Sequence, residues 1–245
     1  AMTAQQVLAL KQSLEERFPG LWLNGENLGG AEISGFGQTG IEKIDACLSP
    51  RALNRQRITH WVGPGSSGKT TLLRKAVAKW CEANFNIVYI DTQGQLMAND
   101  WAYINENHCK QNRLWFVRPD AGEVKTLNHY VGVVDLFLAS RAFDIVIMDL
   151  GTNQKLSLLS YSRLQRALQN SKSALLVVGS QADNQGNIQL GFQWDIQSVQ
   201  LHEPQIACSI TKNGLSTQTE VAVSLDESNC LFTHPQICDR RSREA

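Results

Sequence analysis

Apolar and polar positions along this 245-residue chain follow two periods, one near 3.6 and one of 2. Val7, Leu10, Leu14 and Phe18 recur at spacings of three and four, which predicts an amphipathic helix over residues 4–18, stopped by Pro19-Gly20. Such a helix either packs on its own domain or serves as an arm for a partner or a second copy. Residues 24–40 are glycine-rich and read as a linker, Thr39–Leu48 as a short helix, and 50–57 as a polar turn. Ile58–Val62 alternates like a strand. Thr71–Glu82 has helical spacing, with Leu72, Leu73, Ala76, Val77 and Trp80 inward and Arg74, Lys75 and Lys79 outward. Strand patterns at Phe85–Asp91, Leu114–Arg118, Asp144–Asp149 and Ala174–Gly179 then alternate with helical ones at 123–141 and 158–170. That order predicts an α/β fold, a mainly parallel twisted sheet with helices on both faces. Ser198–Leu201, Gln205–Thr211 and Thr217–Leu225 follow with no helix between them. They read as antiparallel edge strands near the C-terminus, with Lys212-Asn213-Gly214 as a hairpin turn. The tail from Asp226 is polar, and its cluster Arg240, Arg241 and Arg243 reads as a solvated end.

The stretch between the first strand and its helix carries the chemistry. Gly63-Pro64-Gly65-Ser66-Ser67-Gly68-Lys69-Thr70-Thr71 fits G-x-x-x-x-G-K-[ST] at every fixed position. Glycines let successive backbone N–H groups turn around anionic oxygens, and the helix N-terminus adds partial positive charge. Lys69 then reaches the β/γ-phosphates as a point charge, and the Thr70 hydroxyl can ligate Mg²⁺. Gly63, Gly65 and Gly68 also spell G-x-G-x-x-G, with Asp91 a plausible distance on for a dinucleotide site. Lys69-Thr70 decides for a triphosphate, because a dinucleotide site has no use for a lysine after the third glycine. A second acid is needed for the metal shell, and Ile145-Val146-Ile147-Met148-Asp149 puts one at the tip of an apolar strand. An acid in that place also serves as a plain turn former or helix cap. The P-loop favours Asp149 as the metal-shell residue.

Charge and cysteine usage narrow the picture. There are 23 Lys+Arg against 23 Asp+Glu, so any nucleic-acid role rests on a local patch. Six cysteines without a C-x-x-C pair suggest reduced, buried thiols rather than a zinc site or a disulfide framework. With no apolar run of membrane length and no signal-like start, a cytoplasmic protein is expected. Ala1-Met2 reads as a cloning remnant.

The chain resembles the RecA recombinases from about residue 33 to 225. Thr39-Gly40…Ile44-Asp45 and Arg57-Ile58 resemble the lead-in to the RecA core, and the P-loop follows with Gly65 in place of that family's acid. Ile90-Asp91-Thr92-Gln93 falls on the strand end that carries the RecA catalytic glutamate. Arg118-Pro119-Asp120-Ala121-Gly122-Glu123 is similar to its nucleotide-side Pro-Asp-x-Gly-Glu. Asp149 sits on the Walker B acid and Gln181 on the glutamine that senses the γ-phosphate. The resemblance implies a RecA-like core at 33–225 that uses ATP and Mg²⁺, preceded by a helix and linker at 3–32 and followed by a tail at 226–245. In it Lys69, Gln93 and Gln181 act around the γ-phosphate, Gly63 to Thr71 cradle the nucleotide, and Thr70 and Asp149 serve the metal.

The departures matter as much. Gln93 replaces the glutamate, and an amide orients a water but takes no proton from it, so hydrolysis should be slow unless Asp91 substitutes. RecA binds single strands through two loops. Here the first, Leu150–Ser157, has one base, Lys155, and the second, Gln181–Gln193, has none and contains Asp183. Phosphate neutralisation needs cations, so direct DNA binding should be weak. No counterpart of RecA's C-terminal domain is expected after the core. These features resemble the ImuA-type accessory factors of SOS translesion mutagenesis, whose Arg-Leu-Gln helix is matched by Arg163-Leu164-Gln165. That likeness implies polymerase-like protein partners in DNA repair, with homo-oligomers or contact with RecA also possible under it. The alternative is a DNA-stimulated recombinase-type ATPase that forms filaments on single strands. A relic with an empty site is a third option, and the intact Lys69-Thr70 argues against it.

Overall fold

Several short runs are apolar at nearly every position, a pattern that only a sheet covered on both faces can bury. The strands are β1 (Ile58–Val62), β2 (Ile87–Asp91), β3 (Leu114–Val117), β4 (Ile145–Asp149), β5 (Ala174–Gly179), β6 (Ile188–Trp194), β7 (Gln205–Lys212) and β8 (Leu215–Ser224). In β1, β2 and β5 every residue is buried, and in β4 all but the last. The computed structural model describes residues 37–48, 53, 55, 57–97, 101, 102, 104, 108, 113–119, 126–152, 154–180, 188–194, 205–212 and 215–224.

The strands form one eight-stranded sheet in the order β3-β2-β4-β5-β1-β6-β7-β8. From β3 to β6 neighbours pair in parallel, and β7 and β8 are added antiparallel. This is the expected α/β architecture with antiparallel strands at one edge. The pleat divides the strand side chains between two cores. On one face Trp61, Tyr89, Ile147 and Leu176 meet α1 (Glu42–Leu48) and α2 (Lys69–Glu82) through Ile44, Leu72, Leu73 and Trp80. On the other, Val88, Val146 and Val177 meet α3 (Leu127–Ser140) and α4 (Leu158–Gln169) through Val131, Val134, Leu164 and Leu168.

Four sequence readings change. First, α1 begins at Glu42 rather than Thr39. Thr39 N and Oγ1 donate to Asp45 Oδ1 at 2.7 and 2.9 Å, and Gly40 N donates to Oδ2 at 2.9 Å, so residues 39–40 form the turn that caps the helix. Second, Arg74 is buried, not outward, and its guanidinium lies 5.5 Å from the Trp101 ring centroid. An aromatic face supplied from elsewhere in the chain offsets burial of the cation. Third, the latter part of the expected loop Gln181–Gln193 is strand: β6 pairs with β1 on one side and β7 on the other. Fourth, Cys81 is disulfide-bonded, its partner lying outside the described side chains, while Cys208 is buried in the core. The expected helix at 4–18, the strand Ser198–Leu201 and the tail from 226 lie outside the described residues. Among the described residues no helix is long and apolar enough to cross a membrane.

Candidate functional site

Parallel pairing aligns the C-terminal ends of four strands along one edge of the sheet. Asp91 is in register with Asp149, Asp149 with Val178, and Val62 with Gly179. Ligands of open α/β sheets bind outside this edge. The loop after β1 starts there, anchored by Gly63 N to Gly179 O at 3.2 Å. Ser67 N donates back to Pro64 O at 3.2 Å, which closes the loop on itself. Ser66 and Gly68 both take positive φ, 61° and 82°, and turn the chain sharply into α2. Gly68 supplies that conformation without strain, and with no side chain it leaves the first N–H groups of α2 uncapped.

Three observations fit this loop to a phosphate chain. The helix N-terminus has no side-chain cap. The Ser67 hydroxyl is buried and finds no hydrogen-bond partner among the described residues. A side chain at Gly65 would enter open space. Uncapped donors around a concave turn are what an anion satisfies. Lys69 folds back over the same loop, donating to Gly63 O at 3.1 Å and Pro64 O at 3.4 Å. Burial lowers its pKa and the Asp149 charge opposes that shift. An ammonium resting on two carbonyls can exchange them for phosphate oxygens. Thr70 is half-buried in the first turn of α2, beside these donors.

Across the site, the carboxylates are held by fixed donors. Asp149 Oδ1 accepts from Gly151 N at 2.8 Å, and Oδ2 accepts from the Tyr89 hydroxyl. Burial pushes the Asp149 carboxyl above its ordinary range, against the Tyr89 and Gly151 hydrogen bonds and the Lys69 charge, while Asp91 pushes the same way as burial. Asp91 is buried, with Oδ1 accepting from Gln93 N at 3.1 Å and Oδ2 from Leu96 N at 2.6 Å. Those bonds make Asp91 the brace of the 92–96 turn. They leave it poorly placed to act as a base.

Gln93 reaches the Walker B loop. A Cβ added to Gly151 would lie 2.3 Å from Gln93 Oε1, so the amide rests directly on that glycine, whose φ is 65°. Thr92 binds the same segment, with N to Asp149 O at 3.1 Å, Oγ1 to Asp149 O at 2.8 Å and Oγ1 to Gln154 Oε1 at 3.2 Å. Ser180 Oγ donates to Thr152 O from the β5 side. The structure thus brings Lys69, Gln93 and Asp149 to one edge, whereas Gln181 lies outside the described residues. Sequence reasoning missed Tyr89, Gly151 and Gln154. The signal for Tyr89 was present: two residues before Asp91, it shares that acid's face of β2. Among the described residues no three His, Cys, Asp or Glu side chains form a metal cage. Thr70 and Asp149 match the sparse protein contribution typical of Mg²⁺ held by phosphates and waters.

Residues 25–157 match the RecA N-terminal domain family. The chain is 28% identical over 144 residues to a plasmid-borne Protein RecA of Lactococcus lactis, covering 58% of this chain and 40% of that protein. It is 32% identical over 111 residues to Protein RecA of Streptomyces avermitilis, covering 45% of this chain and 27% of that one. The chain therefore spans less than half the length of these relatives. A solved structure of the RadB recombinase superposes with a TM-score of 0.58 at 14% identity, over 79% of this chain and 97% of that one. That likeness concerns the fold.

Proposed function

The chain belongs to the RecA N-terminal domain family, and from that premise we propose that it binds ATP with Mg²⁺ and hydrolyses it slowly, as a nucleotide-gated partner-binding module in DNA repair. The observation that carries this reading is Gln93, whose amide lies on Gly151 next to the Asp149 loop, at the strand end where the RecA resemblance puts the catalytic glutamate. Uncapped N–H groups, the Ser67 hydroxyl and Lys69 hold the phosphates, and Thr70 and Asp149 serve the metal shell. When bound, Mg²⁺ neutralises charge on the phosphate oxygens. Gln93 orients the attacking water by hydrogen bonds but takes no proton from it, so the reaction lacks general-base assistance. Gln181, two residues past the end of β5 in sequence, reports the γ-phosphate.

The gate rests on the first loop. Thr92, Gln93 and Ser180 all touch residues 151–154, so a change at the γ-phosphate passes into the segment leading to α4. Under the ImuA-like reading the partners are polymerase-like proteins of the SOS response and translesion synthesis, in the cytoplasm at the nucleoid. DNA binding is weak and rests on scattered bases such as Arg240, Arg241 and Arg243. A RecA-like core at 33–225 with flanking segments 3–32 and 226–245 remains the proposed organisation.

A second reading is a DNA-stimulated recombinase that forms filaments, favoured by the names of its relatives, Protein RecA and the RadB recombinase. ATP turnover with and without single-stranded DNA separates the two. The proposal expects slow turnover that DNA leaves unchanged. A large stimulation by single strands, surviving removal of the residues after Cys238, would decide for the recombinase.

A further inference from the structure

Tyr89 sits in the middle of β2 with 2% of its surface exposed, yet it carries a hydroxyl. A buried phenol that only filled space would leave that group unpaired, at a cost phenylalanine avoids. The hydroxyl donates to Asp149 Oδ2. The ring has little freedom to do otherwise. It packs against Trp101 with centroids 5.0 Å apart and against Phe116 at 5.8 Å, and the Arg74 guanidinium lies over the Trp101 ring, 5.5 Å from its centroid. Gly151 N holds the other carboxylate oxygen at 2.8 Å. Two immobile donors, one on each oxygen, fix the plane of the carboxylate. Each oxygen can accept two hydrogen bonds, so one site on each remains for another donor.

We propose that Tyr89 is a positioning residue for Mg²⁺, orienting Asp149 so that its remaining acceptor sites receive the water shell of the ion. This rests on the reading of the site as an ATP site. It adds a side chain that neither the P-loop pattern nor the strand-end acid indicates. Tyr89 touches neither nucleotide nor metal and acts only through Asp149.

The test is calorimetric titration of ATP with Mg²⁺ and with EDTA, on the parent and on Tyr89→Phe. Affinity for Mg²⁺-ATP should fall roughly tenfold, the scale of one hydrogen bond to a charged group. Affinity for metal-free ATP should not change. In an Asp149→Asn background, Tyr89→Phe should remove nothing further, because the residue it acts through is already gone. Equal loss with and without metal, no loss in either, or additive loss in the double variant overturns the proposal. A purely structural role would lower both affinities and the melting temperature together. Should Tyr89→Phe not fold, 3-fluorotyrosine incorporated in the parent gives a second readout, since its ring keeps the hydroxyl. The ¹⁹F signal of Tyr89 should shift with Mg²⁺-ATP and not with ATP in EDTA, and a signal indifferent to the metal overturns the proposal. A parent that binds no ATP under either condition overturns the ATP-site reading itself, which is a distinct result.

Discussion

β4 is bracketed by two carboxylates, Asp144 buried and Asp149 half-buried, and the two are treated in opposite ways. Asp144, just before the strand, meets permanent partners: Asn86 N at 3.0 Å and the Arg55 guanidinium at 3.4 Å. Asp149, at the other end, has a nearby cation in Lys69, but that ammonium is occupied with Gly63 O and Pro64 O. Burial raises the pKa of both acids. At the Asp144 end a guanidinium and a backbone N–H answer that cost within the fold. At the Asp149 end the Tyr89 hydroxyl and the Gly151 N–H donate to the carboxylate, and under the proposed function Mg²⁺ would supply the cation. On that proposal one end of the strand serves stability and the other exchange.

The first way to break this comparison is Asp144→Ala. It strands the Asn86 N–H and removes the Arg55 ion pair, leaving that guanidinium its bond to Lys172 O, so denaturant unfolding should register a loss of about 1–3 kcal/mol with nucleotide affinity unchanged. Loss of ATP affinity instead would mean that the two ends of β4 do not have separate roles. The next effect belongs to Lys69→Ala. Removing the ammonium should weaken Mg²⁺-ATP binding about tenfold or more in calorimetry while leaving the melting temperature close to that of the parent. Equal affinity would remove the P-loop reading.

Asp149→Asn should be the smallest in magnitude and opposite in sign. A carboxyl with a raised folded pKa binds its proton more tightly when folded, so its charge penalises the native state. The penalty is absent below the unfolded value, roughly 3.9, grows as pH rises through the folded value, and stays constant above it. The asparagine variant should therefore be more stable than the parent at neutral pH and equal to it at low pH. A destabilised variant at neutral pH would show that the Tyr89 and Gly151 hydrogen bonds outweigh burial.

How much of this was legible in the chain depends on the distance over which each feature is determined. Ala174–Gly179 was read with both ends right, because a run apolar at every position is intelligible only as a central strand. The P-loop was equally plain, since its donors, lysine and threonine lie within nine consecutive residues. Arg74 was misplaced because helical spacing knows nothing of Trp101, which approaches from a different segment. β6 was absorbed into a loop because the RecA register placed a DNA-binding segment there. Yet Ile188, Leu190, Phe192 and Trp194 alternate as a strand should. Of the carboxylates, Asp149 could be read from its strand; of its donors, the β2 alternation put Tyr89 on the face of Asp91, but its bond to Asp149 needs the pairing of β2 with β4, and Gly151 needs the turn geometry. The bracing role of Asp91 was likewise hidden, since it depends on backbone N–H groups two and five residues on.

The central claim is that an amide stands where catalysis needs a carboxylate, and single-turnover hydrolysis of Mg²⁺-ATP by Gln93→Glu tests it most directly. General-base assistance contributes about 10²–10⁴-fold when fully assembled. Restoring the carboxylate alone should recover part of that, a several-fold rise in rate with ATP affinity little changed. A rate that stays flat in Gln93→Glu, while Asp91→Asn abolishes the parent's residual activity, would contradict the account and make Asp91 the base despite its bonds to Gln93 N and Leu96 N.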